Sequence, residues 1–152
     1  MTSASQRLAE LGHTLPAVAK PLAAYVPAVR IGHLVYTSGQ LPTEAGSLIY
    51  TGKVGAAVTA EQAKDAARVC ALNALAAVDA LVGIDNVTQV VKVVGFVASA
   101  PGFTGQPGVI NGASEFLGEV FGEAGAHARS AVGVSELPLD APVEVELIVA
   151  VA

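Results

Sequence analysis

The stretch 126-AHARSAVGVSELPLDAPVEVELIVAVA-152 decides most about how this chain folds. Two of its segments, ARSAVGVSEL and VEVELIVAVA, read as β-strands, and the turn PLDAP between them is typical of antiparallel pairing. Arg129 stands out in this apolar setting, because a guanidinium is always charged and is costly to bury without a partner. We therefore predict two paired strands and a dedicated partner for Arg129.

Three segments further upstream also predict strands. The sequence 30-RIGHLVYTSGQLP-42 gives two strand-like pieces around Gly32. The glycine-punctuated 43-TEAGSLIYTGKVG-55 predicts a turn or a short hairpin, and the valine-rich 87-VTQVVKVVGFVAS-99 predicts a long central strand.

The strongest helix signal is 59-TAEQAKDAARVCALNALAAVDALVG-83. Thr59 and Gln62 have the spacing of a capping box, and Gly83 is a stop signal. Small residues dominate the predicted apolar face, which would let the helix lie close to a sheet. The residues of this face are Ala63, Ala67, Cys70, Ala74, Ala77 and Leu81.

Weaker patterns complete the order of elements. A second amphipathic helix is predicted over 109–125 and a short one over 3–13, while the prolines of 14–29 favour an extended crossing. The mixture of crossover and hairpin connections predicts an α+β fold, with one sheet and helices on one of its faces. Since no helices remain to cover the other face, we expect neighbouring subunits to cover it.

Composition excludes several classes of function. Hydrophobic residues make up 53% of the chain and charged residues only 14%, which favours a homo-oligomer. The net charge of -5 and the lack of a basic run argue against nucleic acid or an anionic membrane as partner. The single cysteine, Cys70, fits a reducing compartment. With no apolar run of signal-peptide or membrane-span length, we expect a cytoplasmic protein.

The familiar catalytic and metal motifs do not occur. There is neither a phosphate-binding loop with its lysine nor a G-x-S-x-G turn. His13, His33 and His127 are scattered without metal-ligand spacing, so we predict no metal site and no cofactor. Cys70 lies within the apolar helix face and is interpreted as a small buried hydrophobe.

Five polar residues in apolar surroundings carry a family resemblance: Tyr25, Ser38, Asn111, Arg129 and Glu144. The chain resembles the reactive intermediate deaminase (Rid) family, also called the YjgF family. In that family a Tyr precedes a TSGQ-[IL]-P strand, an Asn opens the second helix, an ARS strand follows, and LP-x-D-x-x-[VI]-E-[VI]-E ends the chain. All four features occur here in order, over residues 23–151.

The resemblance implies a chorismate-mutase-like single domain over 1–152, with 1–22 as an N-terminal helical extension. Family members form homotrimers in which the sheets make a central barrel and ligand sites lie in the clefts between subunits. Archetypal members hydrolyse small enamines and imines, such as 2-aminoacrylate, to 2-keto acids and ammonia without a cofactor. The expected partner is therefore a small 2-imino or 2-keto acid.

The resemblance also implies a role for each matching residue. Arg129 would bind the substrate carboxylate as a bidentate pair, which suits its planar fork. Tyr25 and Ser38 would line the pocket, and Asn111 would hold its wall. Glu144 would orient water or assist proton transfer.

Each of these residues has a simpler alternative interpretation. Arg129 could form a buried ion pair with Glu144 or with Glu146, which shares the same strand face. Ser38 could serve only as a strand-end hydrogen bond, Asn111 only as a helix cap or first-turn residue, and Tyr25 only as interface packing.

One departure from the family pattern affects the functional prediction. Ala131 stands where archetypal members have a cysteine, which excludes thiol chemistry at that position of the pocket. A non-catalytic trimer that binds small carboxylates is therefore the second hypothesis. An endoribonuclease or translation inhibitor is the third, and the acidic net charge counts against it.

Overall fold

A computed structural model describes residues 2–18 and 24–152. The remaining residues of the predicted extension 1–22 and of the predicted crossing 14–29 lie outside the described part. The helices are α1 (Ala4–Glu10), α2 (Ala60–Val82) and α3 (Gln106–Phe121). The strands are β1 (Ala28–Ile31), β2 (Leu34–Thr37), β3 (Thr43–Glu44), β4 (Ser47–Leu48), β5 (Val87–Ala98), β6 (Ala128–Val134) and β7 (Val143–Val151).

Five strands form one mixed sheet in the order β1-β2-β7-β5-β6. β5 and β6 run parallel, and the other neighbours are antiparallel. The separate pair β3 and β4 is the predicted short hairpin, with positive φ angles of 51° at Ala45 and 84° at Gly46 in its turn. The predicted α+β fold with one mixed sheet is confirmed.

The predicted hairpin between the last two strands is wrong. β6 pairs with β5, and β7 lies on the opposite side of β5, between β5 and β2. The reason lies in the preceding helix: α3 packs over both β5 and β6, so the connection from β5 to β6 is a parallel crossover. The turn after β6 then takes the chain across β5 and does not fold it back as a hairpin.

One face of the sheet carries the core. Residues of β7 alternate between buried and half-buried, and the buried ones, such as Val145 and Leu147, pack among α2 and α3. The half-buried ones lie on the other side, which we call the open face. Large apolar side chains are exposed there, including Tyr36 and Val132, each 45% accessible.

The long helix follows its prediction. α2 begins after a capping box formed by Thr59 and Gln62 and ends at Gly83. The predicted apolar face is buried with one exception: Leu81, in the last turn, is 45% accessible because the helix has run past the core there. Gly112 of α3 lies so close to α2 that a Cβ at this position would collide with the backbone oxygen of Lys64.

The second helix is displaced from its prediction. α3 begins at Gln106, because Pro107 is compatible with the first turn of a helix, and it ends at Phe121, before Gly122 with a φ of 62°. Asn111 therefore lies inside the helix, and the interpretation of this residue as a cap is wrong.

The short N-terminal helix α1 begins after a capping box of Ser3 and Gln6 and buries Leu8 in the main core. Among the described residues, no helix is long and apolar enough to cross a membrane.

Candidate functional site

Arg129 lies at the edge of the sheet, on the face covered by the helices. It is paired with Val93 in the register of β5 and β6, and its side chain reaches α3. Its Nη1 donates to Asn111 Oδ1 at 2.8 Å and to Ser114 Oγ at 3.2 Å, and its Nη2 donates to the Pro107 carbonyl at 3.3 Å. These three acceptors lie three or four residues apart, on one side of α3.

All three partners of Arg129 are neutral. The ion pairs among residues 2–18 and 24–152 are Lys53–Glu136, Lys64–Glu115 and Arg68–Asp65, and none of them includes Arg129. Glu144 and Glu146 point to the open face, away from Arg129. The alternative of a buried ion pair with either residue is therefore wrong, and the half-buried guanidinium charge is uncompensated within the described chain.

A serine and a histidine extend this network, and the sequence analysis missed both in this role. Ser114 Oγ lies 2.8 Å from His127 Nε2, and His127 Nδ1 lies 2.6 Å from the Gly125 carbonyl oxygen. Spacing could have found them, because Asn111 and Ser114 are three apart on a helix, while His127 and Arg129 are two apart on an extended segment. We call Asn111, Ser114, His127 and Arg129 the Arg129 cluster.

The other predicted site residues form a second group, the Ser38 cluster, made of Tyr25, Ser38 and Glu144. Ser38 follows β2, and its Oγ donates to the Val26 carbonyl at 2.6 Å. The strand-end hydrogen bond expected as the simpler alternative is thus present, and the hydroxyl retains lone pairs that can accept from a ligand. Tyr25 directly precedes Val26 in the chain and is 54% accessible.

Glu144 reaches this cluster from the open face of β7. A Cβ on Gly39, the residue after Ser38, would collide with the Glu144 carboxylate, so the two chain segments are in close contact. Burial, and secondly the charge of Glu146, raises the pKa of Glu144 above its ordinary value. A carboxyl group with a raised pKa is suited to exchanging protons near neutral pH.

The structure does not bring the two clusters together within one chain. The strand register sets the distance between them. The hydroxyl of Thr37 accepts a hydrogen bond from the Leu147 N–H, Leu147 is paired with Val93, and Val93 is paired with Arg129, so these residues form one row across four adjacent strands. Three strand spacings separate its ends, a distance of about 14 Å. Glu144 and Arg129 also lie on opposite faces of the sheet, so one small ligand cannot contact both in a single copy.

Two further sequence predictions can be located. Ala131 follows Arg129 on the same strand face, half-buried against the core, as strand alternation requires. Cys70 is fully buried on α2, and burial, with a smaller effect of the Glu144 charge, raises the pKa of its thiol well above the ordinary value. The interpretation of Cys70 as a buried hydrophobe is confirmed.

Comparison with known proteins identifies the family. Residues 5–151 match the family described as "YjgF/chorismate_mutase-like, putative endoribonuclease". The chain belongs to the YjgF family. The match begins at residue 5, so it includes most of the segment that we predicted to be an N-terminal extension.

Individual proteins are similar to this chain over nearly their whole length. Protein TCP17 of Trypanosoma cruzi is 46% identical over 144 residues, which cover 93% of this chain and 90% of that protein. The crystal structure of Atu1372 from Agrobacterium tumefaciens, a protein with unknown function, is 46% identical with a TM-score of 0.91, covering 98% of this chain and 92% of that one. The structure of E. coli TdcF with bound serine is 25% identical with a TM-score of 0.66, covering 92% and 97%.

Proposed function

We propose that this protein is a hydrolytic deaminase that converts small 2-imino acids and their enamine tautomers to 2-keto acids and ammonia. The observation that carries the proposal is the half-buried guanidinium of Arg129, which has neutral partners only. A fixed cation without a counter-charge is suited to an anionic ligand. Within the described chain, its Nε–H and one Nη2–H have no protein acceptor and can receive a carboxylate.

The Ser38 cluster supplies groups for the hydrolysis itself. Water adds to C2 of the imine, the tetrahedral intermediate loses its C–N bond, and ammonia leaves as C2 becomes a carbonyl carbon. Glu144 accepts one proton from the attacking water and later one from the hydroxyl of the intermediate, and it passes both to the nitrogen, which leaves as ammonia. The lone pairs of Ser38 accept a hydrogen bond from the water or from the amine. Orienting the imine and the water is sufficient help for such a reactive substrate.

This chemistry needs more than one copy of the chain. Arg129 and Glu144 are held apart on opposite faces of the sheet, and the open face exposes apolar side chains, including Tyr36 and Val132. We propose a homotrimer whose open faces form its interior and in which the Arg129 cluster of one copy meets the Ser38 cluster of the next. The proposed assembly follows the family resemblance.

The bound serine of TdcF supports the choice of substrate class. Serine is a small 2-amino acid, and the proposed 2-imino acids have the same carboxylate next to a nitrogen-bearing carbon. We therefore place the substrate carboxylate on Arg129 and the imine carbon toward Glu144.

The test is an assay of keto-acid release. A pyridoxal-phosphate dehydratase generates 2-aminoacrylate, and pyruvate release is followed with wild type, Arg129→Ala and the control Arg68→Ala. Arg68 pairs with Asp65 on α2, away from both clusters. We expect wild type and Arg68→Ala to accelerate the release, and Arg129→Ala to lose at least about tenfold in kcat/KM, as expected for a lost charge-assisted contact. No acceleration by wild type over the uncatalysed rate would refute the deaminase.

A non-catalytic carboxylate-binding protein is the second candidate, and Ala131 in place of the family's cysteine is the observation that favours it. The same samples decide between the two. Pyruvate binding that depends on Arg129, without any acceleration of hydrolysis, would establish the binding protein.

A further inference from the structure

In the neutral form of the His127 ring, its two hydrogen bonds have only one consistent direction. A carbonyl oxygen can only accept, so the 2.6 Å contact with the Gly125 oxygen places a proton on His127 Nδ1. In the neutral ring Nε2 is then an acceptor, and the 2.8 Å contact makes Ser114 Oγ–H the donor. The Ser114 lone pairs face the other way, where one of them accepts Arg129 Nη1 at 3.2 Å.

We propose that His127 and Ser114 are positioning residues that set the orientation of the Arg129 guanidinium. The Gly125 carbonyl keeps the proton of His127 on Nδ1. His127 Nε2 then fixes the direction of the Ser114 hydroxyl proton, and Ser114 together with Asn111 holds Nη1. This inference rests on the proposed function, since it concerns how Arg129 is presented to a carboxylate.

Position in the fold shows why Arg129 needs such support. β6 is an edge strand of the sheet formed by the described residues, and within them no strand pairs with its outer side. Arg129 has a long side chain whose rotamer freedom costs free energy to restrict on binding. Acceptors on α3 restrict that freedom before the ligand arrives, which lowers the cost of binding.

Asn111 accepts from Nη1 and the Pro107 carbonyl accepts from Nη2, so the guanidinium is held at two of its nitrogens. Ser114 adds a second acceptor for Nη1, but a serine hydroxyl can turn away unless its own proton is engaged. His127 engages that proton. The His127 ring therefore acts on Arg129 through Ser114, and none of the described hydrogen bonds joins the ring to Arg129 directly.

Three substitutions separate positioning from mere packing. Ser114→Ala removes the hydroxyl, and His127→Phe keeps a ring without an acceptor. His127→Gln keeps a side-chain oxygen that can accept from Ser114. We expect the first two to raise KM for the imine about tenfold, with a much smaller change in kcat, as for loss of one hydrogen bond to a charged group. We expect His127→Gln to stay within about twofold of wild type.

Nuclear magnetic resonance tests the same proposal without substrate. Long-range ¹H–¹⁵N spectra should show the Nδ1–H tautomer of His127, and the Arg129 guanidinium should give resolved, slowly exchanging Nη signals that collapse in Ser114→Ala and His127→Phe. Thermal unfolding curves confirm that each variant is folded. An Nε2–H tautomer, or Arg129 signals unchanged by Ser114→Ala, would overturn the proposal. If wild type neither hydrolyses imines nor binds pyruvate, the proposed function fails, while the spectra still decide the positioning role.

Discussion

At the scale of single residues, the two charges that matter most have opposite surroundings. Arg129 is held by neutral acceptors of α3, which leave its charge available to a ligand. Glu144 is half-buried on the open face beside another carboxylate, Glu146, and pays a desolvation cost when it is ionised. Within the described residues, Arg129 therefore lacks a counter-charge, and the surroundings of Glu144 disfavour its charged form.

The raised pKa of Glu144 predicts how stability depends on pH. The folded state binds this proton more tightly than the unfolded state, so the free energy of unfolding falls as the pH rises from the ordinary glutamate value through the raised one. Glu144→Gln removes that loss. We expect the variant to have a higher Tm than wild type at pH 7, with the difference shrinking toward zero at about pH 4.

Melting curves of both proteins at the two pH values measure this effect. Glu10→Gln, at an exposed position of α1, controls for the loss of one negative charge. A Tm difference that is the same at both pH values would show that Glu144 is not desolvated in the folded protein.

The role of a residue can be predicted from the sequence where it depends only on near neighbours in the chain. The capping box of Thr59 and Gln62 and the stop at Gly83 are found at their predicted positions, because each depends on residues within one turn. The partners of Arg129 could not be derived in the same way. The side chains of Ser114 and Asn111 lie 15 and 18 residues away on α3, and only the packing of α3 on β6 brings them close.

At the scale of elements, α3 connects the core to the candidate site. Its buried side packs on α2 and β5, while Asn111 and Ser114 on its other side hold Arg129. The packing is close enough to require glycine at position 112, next to the Lys64 carbonyl. Any change that lifts α3 should therefore affect both stability and the site.

Gly112→Ala tests this coupling. The added methyl would push α3 away from α2, and we expect a loss of about 1–3 kcal/mol in the free energy of unfolding, together with a higher KM. Gly118→Ala, in the same helix, has open space around the new Cβ and should be neutral or stabilising by up to about 1 kcal/mol. Denaturant unfolding measures both, and equal effects of the two variants would contradict close packing at position 112.

The order of the strands in the sheet could not be predicted from the sequence. Existence and type of the seven strands and the main helices follow from periodicity, but a short turn between β6 and β7 gives no sign that β5 lies between them. That arrangement depends on the β5-α3-β6 crossover, which is a property of tertiary packing.

In the whole molecule, a single copy keeps its two clusters of polar residues apart. Its open face exposes apolar side chains, and its two clusters are separated by the width of the sheet. The sequence predicts, from the low share of charged residues and the lack of further helices, that neighbouring subunits cover this face, and this stays a prediction. It could not anticipate how the site residues divide, because strand order assigns Arg129 to one edge and Ser38 to the far side.

Mixing two variants that we expect to be impaired tests the proposed shared deaminase site. Arg129→Ala and Glu144→Gln are co-expressed in equal amounts, and pyruvate release from 2-aminoacrylate is compared with each variant alone and with wild type. If every site takes Arg129 from one copy and Glu144 from another, random assembly restores both in about one site in four. We predict about a quarter of wild-type activity in the mixture. A mixture no more active than the two variants alone would contradict a site shared between copies.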